Sequence, residues 1–246
     1  MLHSPGAQVE TGFLIETPPQ MAERIFQAYR PRTALRAVRV EFKKFANANS
    51  KVRFEREELL LRISDLLEGA PAHVLEALMH MLIGRMFGFE VPGVYRRRYL
   101  LHVNQADFRR SVHTVRQERG RKVIYAPQGH CYNLEEIFAE INLRFFHGLM
   151  AKPALGWSTR KSKTLLGHYD PSHNMIVLSR MLDAPGVPRL AVEYVMYHEM
   201  LHVRYPTQHR GTRRTVHTRE FKAAEKLFPR LDEANAMLKR LSWNVD

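Results

Sequence analysis

The chain has 246 residues, 45% of them hydrophobic, and a formal net charge of +13 at neutral pH. This length suffices for one large domain or two small ones, and the hydrophobic content excludes a disordered chain. The single cysteine excludes a disulfide framework. Neither a signal peptide nor an apolar stretch long enough for a bilayer is evident, so we predict a cytoplasmic protein that does not interact with membranes.

The sequence pattern divides the chain into four regions. Residues 1–20 contain Pro and Gly without periodicity and are expected to form a mobile leader. Residues 21–118 are predicted to form a mainly helical, basic region. Residues 119–130 are typical of a linker, and residues 131–246 are expected to form a second domain.

The basic region contains one apolar pattern at helical spacing near its start. Thr33 can cap a helix that continues to Phe45. The apolar face of this predicted helix would carry Leu35, Val38, Phe42 and Phe45, and its cationic face Arg32, Arg36, Arg39 and Lys43. A strand pair is predicted between Val52 and Ile63. A buried helix is predicted after Pro71, ending near Gly88.

The C-terminal region alternates helical and strand patterns. A helix over about 133–147 precedes three strands. The last two, Thr164–Tyr169 and Met175–Ser179, are joined by the turn 170–174 into a hairpin. A helix is then predicted from Pro188 to Tyr205, where Pro206 ends it. We therefore predict an α+β fold in which a small, mainly antiparallel sheet packs on this helix. An extended peptide could bind the sheet's edge strand through main-chain hydrogen bonds.

The motif His198-Glu199-Met200-Leu201-His202 lies on the last of these helices. H-E-x-x-H on a helix is a zinc-hydrolase signature, because positions i and i+4 share a face and both imidazoles can reach one metal ion. Glu199 lies between them and can take a proton from a metal-bound water. In a chain with 13 histidines, a five-residue pattern of this kind can also arise by chance.

A catalytic zinc ion needs a third protein ligand. His217 is favoured, because its helical spacing to Phe221, Ala224 and Phe228 places it on a core-facing stripe. A hydrogen-bonded core histidine is the alternative interpretation of His217. The alternative ligands are His209, Glu220 and Glu225. The metzincin pattern does not fit, because Tyr205 and Gln208 stand where it requires Gly and His.

These motifs, in this order, resemble the SprT-like zinc metallopeptidases (SprT and Spartan-like proteins). The resemblance covers about residues 130–230 and extends upstream of the histidines through Asn133–Phe138, Gly156–Ser158, Leu166–Asp170 and Met175–Ser179. It implies a minimal zincin-like domain that binds one zinc ion through His198, His202 and His217, with Glu199 as the catalytic acid and base. The cysteine zinc ribbon of many relatives is impossible here, because Cys131 is the only cysteine.

The positive charge is clustered. Residues 28–56 and 94–122 each contain nine Lys or Arg against two acids, a net +7 in each stretch. Such clusters bind phosphate backbones, and interleaved aromatic residues permit stacking on unpaired bases. The predicted nucleic-acid contacts are Arg36, Arg39, Lys43, Arg96, Arg97, Arg98, Arg213 and Arg214.

Two functions follow from the sequence. The first is a zinc endopeptidase acting on proteins, including those bound or crosslinked to DNA, with Arg204, Tyr205 and His209 as oxyanion donors by sequence proximity alone. The alternative is a non-catalytic, zinc-stapled nucleic-acid-binding module. Three good ligands and a retained Glu199 favour catalysis, because structural zinc sites have four protein ligands.

Overall fold

The computed structural model describes residues 16–120 and 123–243. Most of the predicted leader therefore lies outside the described residues. The chain divides into two compact units between His102 and Val103. The domain limits inferred from the sequence differ from this division and stay a prediction. Within the described residues, no helix is both long and apolar enough to cross a membrane.

The first unit places two helices on one face of a three-stranded sheet. Its elements are α1 (Pro18–Tyr29), β1 (Ala37–Lys43), β2 (Ser50–Glu55), β3 (Glu58–Ser64), α2 (Ala72–Met86) and α3 (Gly93–Val103). The strand order is β1-β3-β2, with β1 parallel and β2 antiparallel to the central β3. The core joins buried side chains of β3 to those of both helices, among them Leu59, Leu61, Ile25, Phe26 and Met79.

The helix predicted from Thr33 to Phe45 is wrong, because most of this segment forms strand β1. Val38, Val40 and Phe42 alternate with polar residues, and this two-residue period coexists with the helical one. Pairing with β3 decides between them. The region 21–118 therefore contains a three-stranded sheet besides its helices, and the predicted strand pair within 52–63 is confirmed as β2 and β3.

The second unit combines helices with a four-stranded sheet and a short hairpin. Its elements are α4 (Ala106–Arg119), β4 (Ile124–Tyr125), α5 (Leu134–Phe146), β5 (Ala154–Ser158), β6 (Gly167–Asp170), β7 (Met175–Leu178), α6 (Arg189–Arg204), β8 (Gln208–Arg210), β9 (Arg213–Thr215), α7 (Arg219–Glu225) and α8 (Leu231–Trp243). The sheet order is β4-β5-β7-β6, so β6 lies at an edge. Among the described pairings of this sheet, only β5–β7 is parallel. Strand β4 belongs to the stretch that the sequence indicated as a linker.

Helix α6 lies against the sheet and against α5, α7 and α8. The predicted hairpin is confirmed as β6 and β7. The predicted helices 133–147 and 188–205 are confirmed as α5 and α6, with Asn133 capping α5 through the backbone N–H of Glu135. The core between sheet and helices includes Trp157, Ile176, Met196 and Phe221. The described chain is thus a mixed α+β protein.

Candidate metal centre

Helix α6 carries His198, Glu199 and His202 near its C-terminal end. Most of the helix surface is buried, which fixes its rotation about its own axis. Because residues four apart lie on the same face of a helix, the two imidazoles point in one direction. Their ring centroids are 5.0 Å apart.

His217 approaches these two histidines from the segment that precedes α7. The next residue, Thr218, is buried and caps α7 by accepting a hydrogen bond from the backbone N–H of Phe221 at 3.2 Å. The Phe221 ring is fully buried and contacts all three imidazoles, with centroids 4.5 to 5.1 Å away. The cap and the aromatic floor therefore hold His217 in place.

The three histidines form a potential metal-binding cluster. One nitrogen of each ring lies within 4.8 Å of the other two. The Nε2 atoms of His202 and His217 are 3.3 Å apart. Burial, the largest cause, and the nearby imidazoles together lower the pKa of His202 to about 4. Burial also lowers the pKa of His217. At neutral pH these two rings are uncharged and offer lone pairs to a cation.

Glu199 is a buried carboxyl group beside the cluster, with 5% of its surface exposed. Burial raises its pKa to about 7, partly offset by a hydrogen bond from the backbone N–H of Tyr169 on β6. The edge strand approaches closely here, since a Cβ atom built on Gly167 would lie 2.8 Å from the Glu199 Oε1 atom. The arrangement is thus three imidazoles, two of them neutral at pH 7, next to one carboxyl group with a pKa of about 7.

Comparison with protein families identifies the part of the chain that carries this site. Residues 134–237, from the first residue of α5 into α8, match the SprT-like family. This segment is a SprT-like domain. Comparisons of the chain with curated proteins and with solved structures returned no match.

The SprT-like domain places two of the alternative third ligands away from the cluster and the third in contact with His198. His209 lies on β8, with its Nδ1 atom 3.3 Å from the Asn104 side chain. Glu220 is exposed and interacts with the Thr218 hydroxyl. Glu225 lies closer, but its Oε1 atom is 2.7 Å from Nδ1 of His198 and also accepts a hydrogen bond from the Tyr194 hydroxyl at 3.0 Å. None of the three belongs to the described metal-binding group.

Two of the sequence-based oxyanion candidates lie on another surface of the SprT-like domain. Arg204 and Tyr205 line an apolar groove of about 510 Å³ with Phe145 and Leu227. The lining of this groove includes none of the three histidines.

The eight predicted nucleic-acid contacts are all exposed. Arg213 and Arg214 lie on β9 in the SprT-like domain, and the other six lie in the first unit. On strand β1, Arg39, Glu41 and Lys43 lie on one face, with the acidic residue between the two basic ones. They therefore do not form the uninterrupted cationic stripe that was predicted for a helix. Arg39, Lys43 and Arg98 each have an acidic neighbour at 3.4 to 4.0 Å, whereas Arg96 and Arg97 have none within the described residues.

Sequence reasoning missed three features of the site. The interaction of Glu225 with His198 was missed because Glu225 was considered only as a direct ligand. Tyr194 was detectable, because it precedes His198 by one helical turn and shares its face of α6. The contact of Gly167 with Glu199 has no local signal, since it depends on how β6 packs on α6.

Proposed function

We propose that the SprT-like domain is a zinc-dependent endopeptidase. His198, His202 and His217 would hold one zinc ion, and Glu199 would act as acid and base in peptide-bond hydrolysis. The observation that carries this proposal is the convergence of three imidazoles beside a single buried carboxyl group. Membership of residues 134–237 in the SprT-like family supports it independently. A cytoplasmic location belongs to the same proposal.

The donor set fits zinc. Catalytic zinc sites use three protein ligands, commonly nitrogen atoms of neutral histidines, and leave a fourth position open. The lowered pKa values of His202 and His217 keep those rings neutral at pH 7. When bound, the ion would supply a Lewis acid that polarises the scissile carbonyl group and acidifies water.

The chain itself supplies the proton transfer. The Glu199 carboxylate would accept a proton from the attacking water and return it to the departing amine. Burial raises its pKa to about 7, which suits both steps at neutral pH. The N–H group of Tyr169 holds the carboxylate in place through its hydrogen bond.

The position of β6 suggests how a substrate binds. Strand β6 is an edge of the sheet and contacts Glu199 through Tyr169. A peptide that extends along this edge would lie beside the metal cluster, held by main-chain hydrogen bonds. Such binding tolerates many side chains, which favours an endopeptidase with broad sequence specificity.

We further propose that its substrates are proteins bound or crosslinked to DNA. The exposed cations in both units support this proposal, above all Arg96 and Arg97, which have no acidic neighbour within the described residues. Lys and Arg side chains that face solvent bind phosphate backbones without regard to base sequence. An enzyme held on DNA in this way would meet DNA-bound proteins at high local concentration.

Cleavage of a basic protein bound to DNA tests this proposal. The zinc-loaded chain should cleave it, faster when single-stranded DNA is present, and Glu199→Gln should lower the rate by about 10²–10⁴-fold while still binding zinc. Activity that Glu199→Gln retains in full would overturn the assigned role of Glu199. DNA-independent cleavage that the variant loses would leave the peptidase and remove the DNA-directed part.

The second candidate function is a non-catalytic module in which zinc only staples α6 to the segment before α7. Structural zinc sites have four protein ligands. Among the described residues, the cluster contains three histidines and no fourth His, Cys, Asp or Glu. This count favours catalysis. Zinc binding with four protein ligands and no cleavage of any protein would favour the module.

A further inference from the structure

We propose that Glu225 is a positioning residue that orients His198 for metal binding. The inference rests on the proposed function, because it concerns how the same metal ion would be held. Glu225 is the last residue of α7, whereas His198 lies on α6. Its carboxylate therefore joins α6, which carries two of the histidines, to the helix that follows His217.

The geometry around Glu225 is specific. Its Oε1 atom lies 2.7 Å from Nδ1 of His198 and 3.0 Å from the hydroxyl oxygen of Tyr194. Tyr194 and His198 are four residues apart, so one turn of α6 presents both partners to the same oxygen. All three side chains are partly or wholly buried, which strengthens hydrogen bonds to a charged acceptor.

This arrangement fixes the tautomer of His198. A carboxylate only accepts hydrogen bonds, so Nδ1 of His198 must donate its hydrogen to Glu225. Burial raises the pKa of Tyr194, which keeps its hydroxyl protonated as the second donor. The lone pair that the His198 ring can offer to a metal ion then lies on Nε2, the nitrogen that faces away from Glu225. The Nε2 atoms of His202 and His217 already lie 3.3 Å apart, so Nε2 completes a uniform donor set.

Glu225 is singled out among the acidic residues. Of the carboxylates in residues 16–120 and 123–243, it alone forms a hydrogen bond with one of the three histidines. A carboxylate on the far nitrogen of a histidine ligand fixes the ring orientation and increases the ligand's basicity. The loss of such a partner typically weakens metal affinity by about 10- to 100-fold.

The test measures zinc affinity rather than turnover. The full-length wild type is compared with Glu225→Ala, Glu225→Gln and Tyr194→Phe. The matched control is Glu193→Gln, which removes a carboxylate of α6 that pairs with Arg189 instead. Zinc dissociation constants come from competition with a chelating indicator. Nitrogen-15 NMR of the histidine rings in the metal-free protein reports the tautomer of His198, and circular dichroism confirms that each variant is folded.

Glu225→Ala should raise the zinc dissociation constant by about 10- to 100-fold. Glu225→Gln, which keeps the shape and one acceptor oxygen, should give a smaller increase, and Glu193→Gln should match wild type. In wild type, His198 should carry its hydrogen on Nδ1, and this preference should weaken in Glu225→Ala. If Glu225→Ala unfolds, Glu225→Gln and Tyr194→Phe carry the test, with Tyr194→Phe expected to have the smaller effect.

Wild-type affinity in both Glu225 variants, or a hydrogen on Nε2 of His198 in wild type, would overturn this inference and leave the proposed peptidase intact. A wild-type chain that binds no zinc would overturn the proposed function itself, and with it the role of Glu225. The two failures are thus distinguishable.

Discussion

Gly167 is the residue that allows β6 to lie close to Glu199. A Cβ atom at this position would lie 2.8 Å from both Glu199 Oε1 and Val195 Cγ1, a distance that forces one of these groups to move. We expect Gly167→Ala to lower kcat/KM by about 10- to 100-fold, because a displacement of about 1 Å in an active site has an effect of this size. The free energy of unfolding of this variant should also be lower by about 1–3 kcal/mol.

Gly186→Ala is the matched control for Gly167→Ala. A Cβ atom on Gly186 would meet nothing within 4 Å, so its effect on the free energy of unfolding should stay within about 0.5 kcal/mol. Peptide cleavage assays give the kinetic effect. Urea unfolding followed by the fluorescence of the buried Trp157 gives the stability. Equal activity in the two alanine variants would show that this contact does not position Glu199.

Asp183 is expected to make the stability of the SprT-like domain depend on pH. Its carboxylate accepts hydrogen bonds from the backbone N–H groups of His130, Cys131 and Tyr132 at 2.6 to 3.1 Å. Burial acts to raise the pKa of Asp183, but these hydrogen bonds outweigh it and lower the pKa. Because the folded pKa lies below the unfolded one, the stabilisation is present above about pH 4 and is lost as pH falls through the folded pKa.

Asp183→Asn should therefore lower the free energy of unfolding by about 1–3 kcal/mol at pH 7, and the difference from wild type should shrink toward acid pH. Urea titrations at several pH values measure this. Asp232→Asn, at an exposed position in the first turn of α8, should change stability by less than about 1 kcal/mol. If the difference in unfolding free energy between Asp183→Asn and wild type stayed constant down to pH 2, the ionised carboxylate of Asp183 would not be the source of the stabilisation.

The residues of the candidate site differ in whether the neighbouring sequence predicts their position. His198, Glu199 and His202 were predictable, because a helix alone brings them together. His217 was a preference supported by the family resemblance, since its approach to α6 depends on tertiary packing. Glu225 was identified as a ligand candidate, but its partner is the Nδ1 atom of His198. No sequence pattern specifies which atom of a nearby ring a carboxylate meets.

Among the elements, the β2–β3 hairpin is joined by a two-residue turn that contains no glycine. Arg56 and Glu57 have φ angles of 48° and 64°, a conformation that favours Gly and is costly for other residues. Glu57→Gly should stabilise the hairpin by about 0.5–1 kcal/mol, whereas Glu57→Ala, which keeps a Cβ atom, should not. Hydrogen exchange of the β3 amides measures both. Equal protection in the two variants would show that the turn is not strained.

Elements whose apolar residues follow one spacing, either helical or strand-like, were predicted correctly. An element whose apolar residues fit both spacings was not. Helices α5 and α6 and the β6–β7 hairpin match their predictions, because caps, prolines and turn residues mark their ends. Strand β1 was mistaken for a helix, since its apolar residues fit both periods and only its partner β3 decides. The β8–β9 hairpin was missed because its strands have three residues each and are largely polar.

At the scale of the whole molecule, the charge predicts salt-dependent binding to DNA. Each phosphate contact contributes about 0.7 to the slope of log affinity against log salt for single strands. Replacing both Arg96 and Arg97 by Ala should therefore reduce the slope by about 1.4 if both contact phosphate. Arg53→Ala, which removes a cation paired with Glu55, should change it little. Fluorescence anisotropy at several salt concentrations measures the slopes, and wild-type binding that is independent of salt would contradict the prediction.

The sequence predicted the SprT-like domain better than it predicted the first unit. Net charge and the family resemblance indicated a SprT-like domain within a basic chain, and the family was confirmed for residues 134–237. The sheet of the first unit was not predicted as a whole. Strand β1 pairs with β3, although β2 lies between these two strands in the sequence. Parallel pairing of this kind leaves no local turn signal between its partners.

We propose that three histidines hold one zinc ion while Glu199 remains free to act on water. A crystal structure of the zinc-loaded chain, with anomalous scattering measured at the zinc edge, tests it most directly. We expect one peak about 2.0–2.1 Å from a nitrogen atom of each of His198, His202 and His217, with no fourth protein ligand. A fourth protein ligand, or no zinc at this position, would contradict it.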